Sequence, residues 1–452
     1  MESRQDIPIM TETDILVVGG GPSGMAAAIA ASREGMNTIL MERFGCFGGN
    51  ITQAGVEAFA WYRHSGTIEA GGITREIEDT AMKMGASTQE SQSDSQALDA
   101  EMFKCVADKM IIEAGVKPLL HCMAVDTIIE NGTIKGVITE SKSGRQIILA
   151  KRVIDCTGDA DIIALAGAPF HKESKDNLMQ LTPVFNCKGV DTKRFKDYIY
   201  NVLKPTYKDW GGECWNQITS GKEEDMFSPF VEAPFIEAIE EGELEKTEGV
   251  SYGGTWGTID DNSGEVMQIN MIFMNGYDCT DVWDLTRAEI QGRKEALKVV
   301  EVLRKKIPGF ENCKIRNFGM TIGTRESRKI KGHAYLTKED VMNQGRFEDS
   351  IGIYPEFIDG LNYLIIPTTG RYYQIPYGSL VPKEIDNLLA AGRSISGDRV
   401  AHCSFRNMSC CTVTGQAAGT AAAISIKRNE TTSKVRISEV QKALEKQGVR
   451  IF

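Results

Sequence analysis

The stretch DILVVGGGPSGMAAAIAASREGMNTILMERFGCFGGN, Asp14 to Asn50, decides the fold. Ile15 to Val18 are apolar and run directly into Gly19-Gly20-Gly21-Pro22-Ser23-Gly24, after which small residues continue to about Arg33. That order reads as strand, glycine turn and helix. Gly19 permits the sharp turn, Gly21 leaves no side chain between the backbone and a pyrophosphate, and Gly24 lets helix and strand approach closely. Pro22 and Ser23 open the helix, whose unpaired N–H groups and positive dipole end face the phosphates. Thr38 to Met41 reads as the next strand. Glu42 at its tip, about 20 residues beyond the glycines, is placed to accept the ribose hydroxyls of an adenosine. The cradle suits NAD or FAD.

The residues after Glu42 favour FAD. Arg43-Phe44-Gly45-Cys46-Phe47-Gly48-Gly49-Asn50 is a second glycine-bearing loop where an NAD protein would begin its next helix, and such a loop can track a longer cofactor. On these residues the chain resembles the flavoprotein superfamily that includes glutathione reductase and the fumarate reductase flavoprotein. It is more closely similar to an FAD-dependent oxidoreductase family with a GGxxT-type loop after the ribose acid, an RESRRI-type segment mid-chain and an AGRxxS-type segment later on. The resemblance implies an α/β fold: a Rossmann-like, nucleotide-binding FAD domain of the glutathione reductase type, in two parts. Those parts are residues 1–169 and 377–452, the second with a closing helix, and an inserted α+β cap or substrate domain covers 170–376. It also implies that a strand near Ala124 lines the adenine and that Gly158 lets the backbone approach the nucleotide.

Length and charge narrow the function. At 452 residues two domains are expected. A net charge of −11 argues against nucleic acid as a partner, since phosphate binding needs clustered cations. The opening residues lack the basic-then-apolar order of a secretory signal, and no apolar run has the length of a membrane span; a cytoplasmic protein with no membrane partner is expected. Eleven cysteines without CxxC spacing suit reduced thiols, with no metal site. Cys46 has no partner before Cys105 and reads as a packed or flavin-neighbouring thiol; adjacent Cys410 and Cys411 read as packing.

Along the chain, Gly71 to Gly85 has helical periodicity, Ala86 to Gln96 is a polar stretch read as a solvated linker, and Ala100 to Ala114 is a helix. Strands at Lys117–Val125, Thr127–Glu130, Ile134–Glu140 and Gln146–Ala150 form a meander, and Arg152–Cys156 a separate buried strand. Asp159 and Asp161 either cap a helix from about Ala160 or accompany Gly158 at the nucleotide. Within the cap lie most of the tryptophans, the pairs Gly211-Gly212 and Gly253-Gly254, and a helix at Thr286–Lys305. No second GxGxxG occurs after a strand there, so electrons come from transiently bound NAD(P)H, a redox partner protein or the substrate.

Two segments carry candidate chemistry. Arg325-Glu326-Ser327-Arg328-Lys329-Ile330 matches the RESRRI-type segment except at Lys329, and Arg325 or Arg328 is expected toward flavin or substrate, because arginine holds anions bidentately. Gly392 and Arg393 end a strand, and Asp398 is expected on a ribityl hydroxyl. A small-residue helix at Thr412–Ile426 is expected to aim Thr412 and Val413 at the flavin, while Gly415 and Gly419 bare one face for another helix or the cofactor. Arg393 stands where fumarate reductases carry a glutamate. His402 and Arg406 share the HxxxR spacing of those enzymes' substrate segment, so His402 is expected to move a proton and Arg406 to hold a carboxylate or enolate. His64, in Trp61-Tyr62-Arg63-His64, is a weaker candidate; His121, His171 and His333 read as structural.

The expected activity is FAD-dependent hydride transfer to or from a small anionic or carbonyl-bearing substrate, either double-bond reduction or dehydrogenation. A homo-oligomer is also expected. A flavin-dependent monooxygenase and an FAD electron-transfer subunit of a larger complex are the alternatives. Oxygen-dependent hydroxylation would mark the first, and activity only with a partner the second.

Overall fold

The computed structural model describes residues 7–59, 62–209, 216–217 and 223–452; Trp61 and the Gly211-Gly212 pair lie outside them. Its main sheet is mixed. Lys117–Leu119, Thr38–Met41, Ile9–Val18, Gly144–Asp155 and Leu388–Ala390 lie side by side and parallel, in that order. Ile15, Leu16 and Val17 are fully buried, as strands covered on both faces must be. Met123–Glu130 and Thr133–Ser141 extend the sheet antiparallel.

The meander differs in one respect from its sequence reading. The strand expected at Gln146–Ala150 and the separate one at Arg152–Cys156 are a single 12-residue element, Gly144–Asp155. Its first half pairs antiparallel with Thr133–Ser141 and its second half parallel with Leu388–Ala390, while Ile9–Val18 runs along its other edge from Ile147 onward.

The Pro22–Arg33 helix crosses the Met408–Lys427 helix at backbone distance. A Cβ on Gly415 would stand 2.1 Å from the Ser23 carbonyl oxygen, and one on Gly419 2.0 Å from that of Ala27. The bare face is therefore occupied by a helix rather than by a cofactor.

A second sheet is antiparallel throughout and runs Phe230–Val231, Val250–Thr255, Glu265–Met274, Phe185–Lys188, Lys314–Phe318. It has its own apolar core, drawn from Leu181 to Ile322, covered by the helix Val282–Lys306. That helix begins earlier than Thr286 because Asp281 caps it, accepting from the N–H groups of Trp283 and Asp284 at 2.9 Å. Leu336 through Val381 pack instead with the core beneath the main sheet.

The polar stretch Ala86 to Gln96 is not a solvated linker. Ser87–Gln89 and Gln96–Leu98 form a hairpin, and Glu90, Gln92, Ser93 and Ser95 are buried. Hydrogen bonds hold it in place: the Ser93 hydroxyl donates to one Glu90 carboxylate oxygen at 2.5 Å, and the Gln96 N–H to Glu78 of the Ile73–Lys83 helix at 3.0 Å. Among the described residues no helix is long and apolar enough to cross a membrane.

Candidate active site

The glycine turn forms a backbone cradle. A Cβ on Gly24 would stand 1.8 Å from the Gly19 carbonyl oxygen, and one on Gly19 2.4 Å from that of Cys156, so both glycines are fixed by close approach. Gly21 is different: the nearest atom to its Cβ position is the Gly49 Cα, at 3.6 Å. Space is kept open above Gly21, where a pyrophosphate needs it. Pro22 is the first helical residue, followed by buried Ser23. The second loop closes the cradle, with the Gly48 N–H donating to the Gly20 carbonyl at 2.8 Å and Gly49 lying against Gly21.

Glu42 closes the same structure electrostatically. Its carboxylate accepts from the Gly20 N–H at 2.7 Å and the Phe44 N–H at 3.1 Å, leaving lone pairs for two hydroxyls. Arg43 is exposed, stacked on Phe44. His121 and Cys122 bond the backbone of Phe44 and Glu42, which brings Ala124 to this end of the cradle. The cradle, the acid and the open space at Gly21 fit the adenosine diphosphate half of FAD.

Asp159 and Asp161 do not cap a helix with their side chains; both neutralise arginines. Asp159 pairs with Arg393 and accepts from the Ser327 hydroxyl at 2.7 Å, and Arg393 holds its carboxyl below the ordinary carboxylate range against the opposing effect of burial. Asp161 pairs with Arg328 at 2.9 Å. Arg328 also donates to the Asp159 carbonyl and stacks on Phe170. The expectation that Arg328 reaches the flavin is corrected accordingly: it braces the loop holding Gly158, because the Asp161 carboxylate and the Asp159 backbone carbonyl, both distant in sequence, claim it. Arg393 lies over Gly158 and lines the central cavity. Gly392 is pressed on Ser23, its N–H donating to Thr414 at 2.9 Å.

The cavity, about 590 Å³, runs from Asn50 and the loop at Val56 and Ala58 across to the second sheet. Asn407 and Met408 form one wall, because the last long helix starts at Met408 and not at Thr412. The Cys411 N–H already donates to the Asn407 carbonyl, so Thr412 and Val413 lie one turn inside the helix, buried against Thr74 and Gly352. The free N–H groups belong to the residues just after Asn407. Asp398 is corrected likewise. Its carboxylate caps the Arg399–Phe405 helix, accepting from Val400 and Ala401, and also takes the Lys338 N–H at 2.6 Å.

Arg325, Arg406 and His402 do come together, but only the arginines line the cavity. His402 is buried beneath them, donating Nε2–H to the Arg325 carbonyl at 2.9 Å. Burial pushes its imidazole down to about 3 from 6.5, so it stays neutral and positions Arg325 rather than moving protons. The linkage has a definite sign. A depressed histidine value means the unfolded chain protonates first, so the stability it carries is complete above about pH 6.5 and is lost toward pH 3, at about 1.4 kcal/mol per pH unit. Urea midpoints measured across that range are expected to fall less steeply for His402→Gln than for the parent; equal slopes would refute the assignment.

Four arginines reach the cavity and three have carboxylate partners. Arg393 pairs with Asp159, Arg399 with Glu326 at 3.3 Å and Arg406 with Asp359 at 3.2 Å. Arg325 lies on the Phe273 ring at 4.8 Å, and among the described residues its guanidinium has no hydrogen-bond partner. Burial and the neighbouring Arg406 lower it to about 10. The sequence reading missed Asp359 and the second-sheet residues Gln268, Asn270 and Phe273. Nothing local distinguishes them. Asn407, a favoured cap residue type before a small-residue run, was the one available signal for the earlier helix start.

A sequence family described as FAD dependent oxidoreductase matches residues 14–444. Thiamine thiazole synthase of Metallosphaera sedula is 33% identical over 167 residues, 34% of this chain and 57% of that protein. That of Sulfolobus acidocaldarius is 29% identical over 177 residues, 36% of this chain and 63% of that protein. The chain thus spans a little under two thirds of the length of these relatives. A solved structure of a geranylgeranyl bacteriochlorophyll reductase-like protein from Thermoplasma acidophilum is similar with a TM-score of 0.49 at 12% identity, over 96% of this chain and 83% of that one.

Proposed function

The chain belongs to the FAD dependent oxidoreductase family, and from that premise we propose that it transfers hydride between FAD and a small anionic or carbonyl-bearing substrate held in the central cavity. The observation that carries this reading is Arg325, a guanidinium without a hydrogen-bond partner among the described residues, on the wall of a cavity that also reaches the Met408 helix start. FAD supplies a two-electron acceptor and donor when bound. We assign Gly19 to Gly24, Glu42, Gly48, Gly49 and Gly158 to its adenosine and pyrophosphate. Asn50, Arg393 and the N-terminus of the Met408–Lys427 helix are assigned to its ring end, where N–H groups meet negative charge.

In this proposal the sequence-distant parts of the main sheet form one FAD unit of the glutathione reductase type. The cap expected over residues 170–376 has its core between Leu181 and Ile322. Arg325 fixes the substrate's anionic group bidentately, and Arg406, restrained by Asp359, donates to a remaining lone pair of the same group. Phe273 keeps Arg325 flat and excludes water from its back face.

Anaerobic reduction of the purified holoenzyme with NADH, NADPH and dithionite, and then a screen for compounds that reoxidise it, tests the reading. A carboxylate or carbonyl compound is expected among the oxidants. Arg325→Gln is expected to weaken its use by about 100-fold or more, since removing one member of a desolvated charge pair costs about 2–5 kcal/mol. Uptake of oxygen into a hydroxylated product would overturn hydride transfer to a substrate.

A further inference from the structure

The wall facing Arg325 carries a recognition element of its own. Gln268 lies within the Glu265–Met274 strand with φ +51°, a conformation that a side-chain-bearing residue adopts at a cost. Both ends of the residue are fixed. Its N–H donates to the Asn186 side chain at 2.8 Å, and its Oε1 accepts the Ala58 N–H at 2.6 Å. A backbone N–H can only donate, so the bonded atom is the amide oxygen, and the NH2 end of Gln268 is directed elsewhere. Two residues on, the Asn270 Oδ1 accepts the Thr182 hydroxyl at 2.6 Å, and Thr182 in turn pairs by its backbone with Gly323, two residues before Arg325.

Gln268 and Asn270 both line the cavity, and neither amide nitrogen has a partner among the described residues. Gln268 ties the second sheet to the Val56–Ala58 loop on the opposite side, so strain and bonding together hold one orientation of one amide. The donors here are one guanidinium without a carboxylate, a second shared with Asp359, and two amide NH2 groups, while the carboxylates of Asp176 and Glu232 line other parts of the cavity. Phe230, Tyr252 and Phe273 are aromatic contributions of the second sheet to the cavity, and Tyr252 is hydrogen-bonded to Glu295 at 2.6 Å.

Resting on the function proposed above, we propose that the substrate is an oxygen-rich monocarboxylate, a hydroxy or oxo acid. Its carboxylate lies on Arg325 and Arg406, and a further hydroxyl or carbonyl oxygen on the amides of Gln268 and Asn270. An unsubstituted aliphatic acid satisfies the charge and leaves the amides without acceptors. An uncharged polyol does the reverse. Sites built to hydrogen-bond a substrate oxygen reject analogues that lack it more strongly than apolar pockets reject a change of size.

The test uses the FAD-loaded protein and three probes: gluconate, glucose and hexanoate. Binding is monitored by perturbation of the flavin spectrum and by thermal shift. Gluconate is expected to bind at least about 10-fold more tightly than either of the others. Gln268→Met is expected to bring gluconate down to the level of hexanoate without changing hexanoate. Because position 268 has positive φ, Asn270→Leu, in ordinary backbone, provides a second variant with the same expected loss of preference. Equal binding of hexanoate or glucose, no binding of gluconate, or a preference that survives both substitutions would overturn the proposal. Dithionite reduction of the same samples separates the two readings. Protein that holds and cycles FAD without the preference loses only this inference, whereas protein that takes up no FAD loses the enzymatic reading with it.

Discussion

Gly21→Val yields a folded protein without FAD. Gly21 has φ −72° and ψ −176°, an extended conformation open to valine, and the nearest atom to its Cβ position is the Gly49 Cα at 3.6 Å. The fold therefore tolerates the side chain. What it fills is the space above the turn, against the N–H groups that open the Pro22–Arg33 helix, where a pyrophosphate must lie in contact with backbone. Two methyl groups there are expected to weaken FAD binding by at least about 100-fold, roughly 3 kcal/mol. Visible absorbance per mole of purified protein measures the loss, and far-ultraviolet circular dichroism with a melting curve monitors the fold. Gly24→Val is the control and is expected to lose both, since its Cβ would stand 1.8 Å from the Gly19 carbonyl oxygen. Stoichiometric flavin on the Gly21→Val protein would remove the nucleotide from this turn.

Gly419→Val has the opposite signature, losing fold and flavin together. Its Cβ would stand 2.0 Å from the Ala27 carbonyl oxygen and 2.8 Å from the carbonyl carbon, in backbone that no rotamer change can move. The two helices must separate, and the Pro22–Arg33 helix, whose N-terminus is assigned to the phosphates in the proposed function, moves with them. Overpacking a well-packed core of side chains typically costs about 1–3 kcal/mol, and a backbone-to-backbone seam is expected to exceed that range. Ala422→Gly, in the same helix, costs about 1 kcal/mol by propensity. Urea midpoints of the two variants give the comparison, and a Gly419→Val midpoint within error of that of Ala422→Gly would show that the seam is loose.

The strand, glycine turn and helix were legible in the sequence because their requirements are local: a tight turn, an open approach and a helix start within a few residues, each answered by a glycine or Pro22. The partners of the arginines were not. Arg328 looks like an anion clamp from its neighbours in the chain, but the fold brings Arg328 to Asp161 and Arg393 to Asp159, and among the described arginines that line the cavity only Arg325 is left without a carboxylate. Asp398 was misread for a related reason, since a carboxylate after a glycine loop serves a helix end as readily as a ribityl chain. The buried hairpin at Ser87–Leu98 defeated composition altogether, because serines and glutamines that bond one another can enter a core that the same residues unpaired could not. The element boundary at Lys151 failed because an exposed lysine interrupts an apolar run without interrupting the strand.

The strand Gly144–Asp155 is flanked in its second half by Ile9–Val18 on one edge and Leu388–Ala390 on the other, and the Pro22–Arg33 helix is covered by Met408–Lys427. During synthesis on the ribosome, the amino-terminal segment therefore emerges with one flank of its sheet and one side of its first helix still bare. That apolar surface stays uncovered until residues 388–427 have left the exit tunnel, and surface of this kind, exposed in a growing chain, is prone to aggregate.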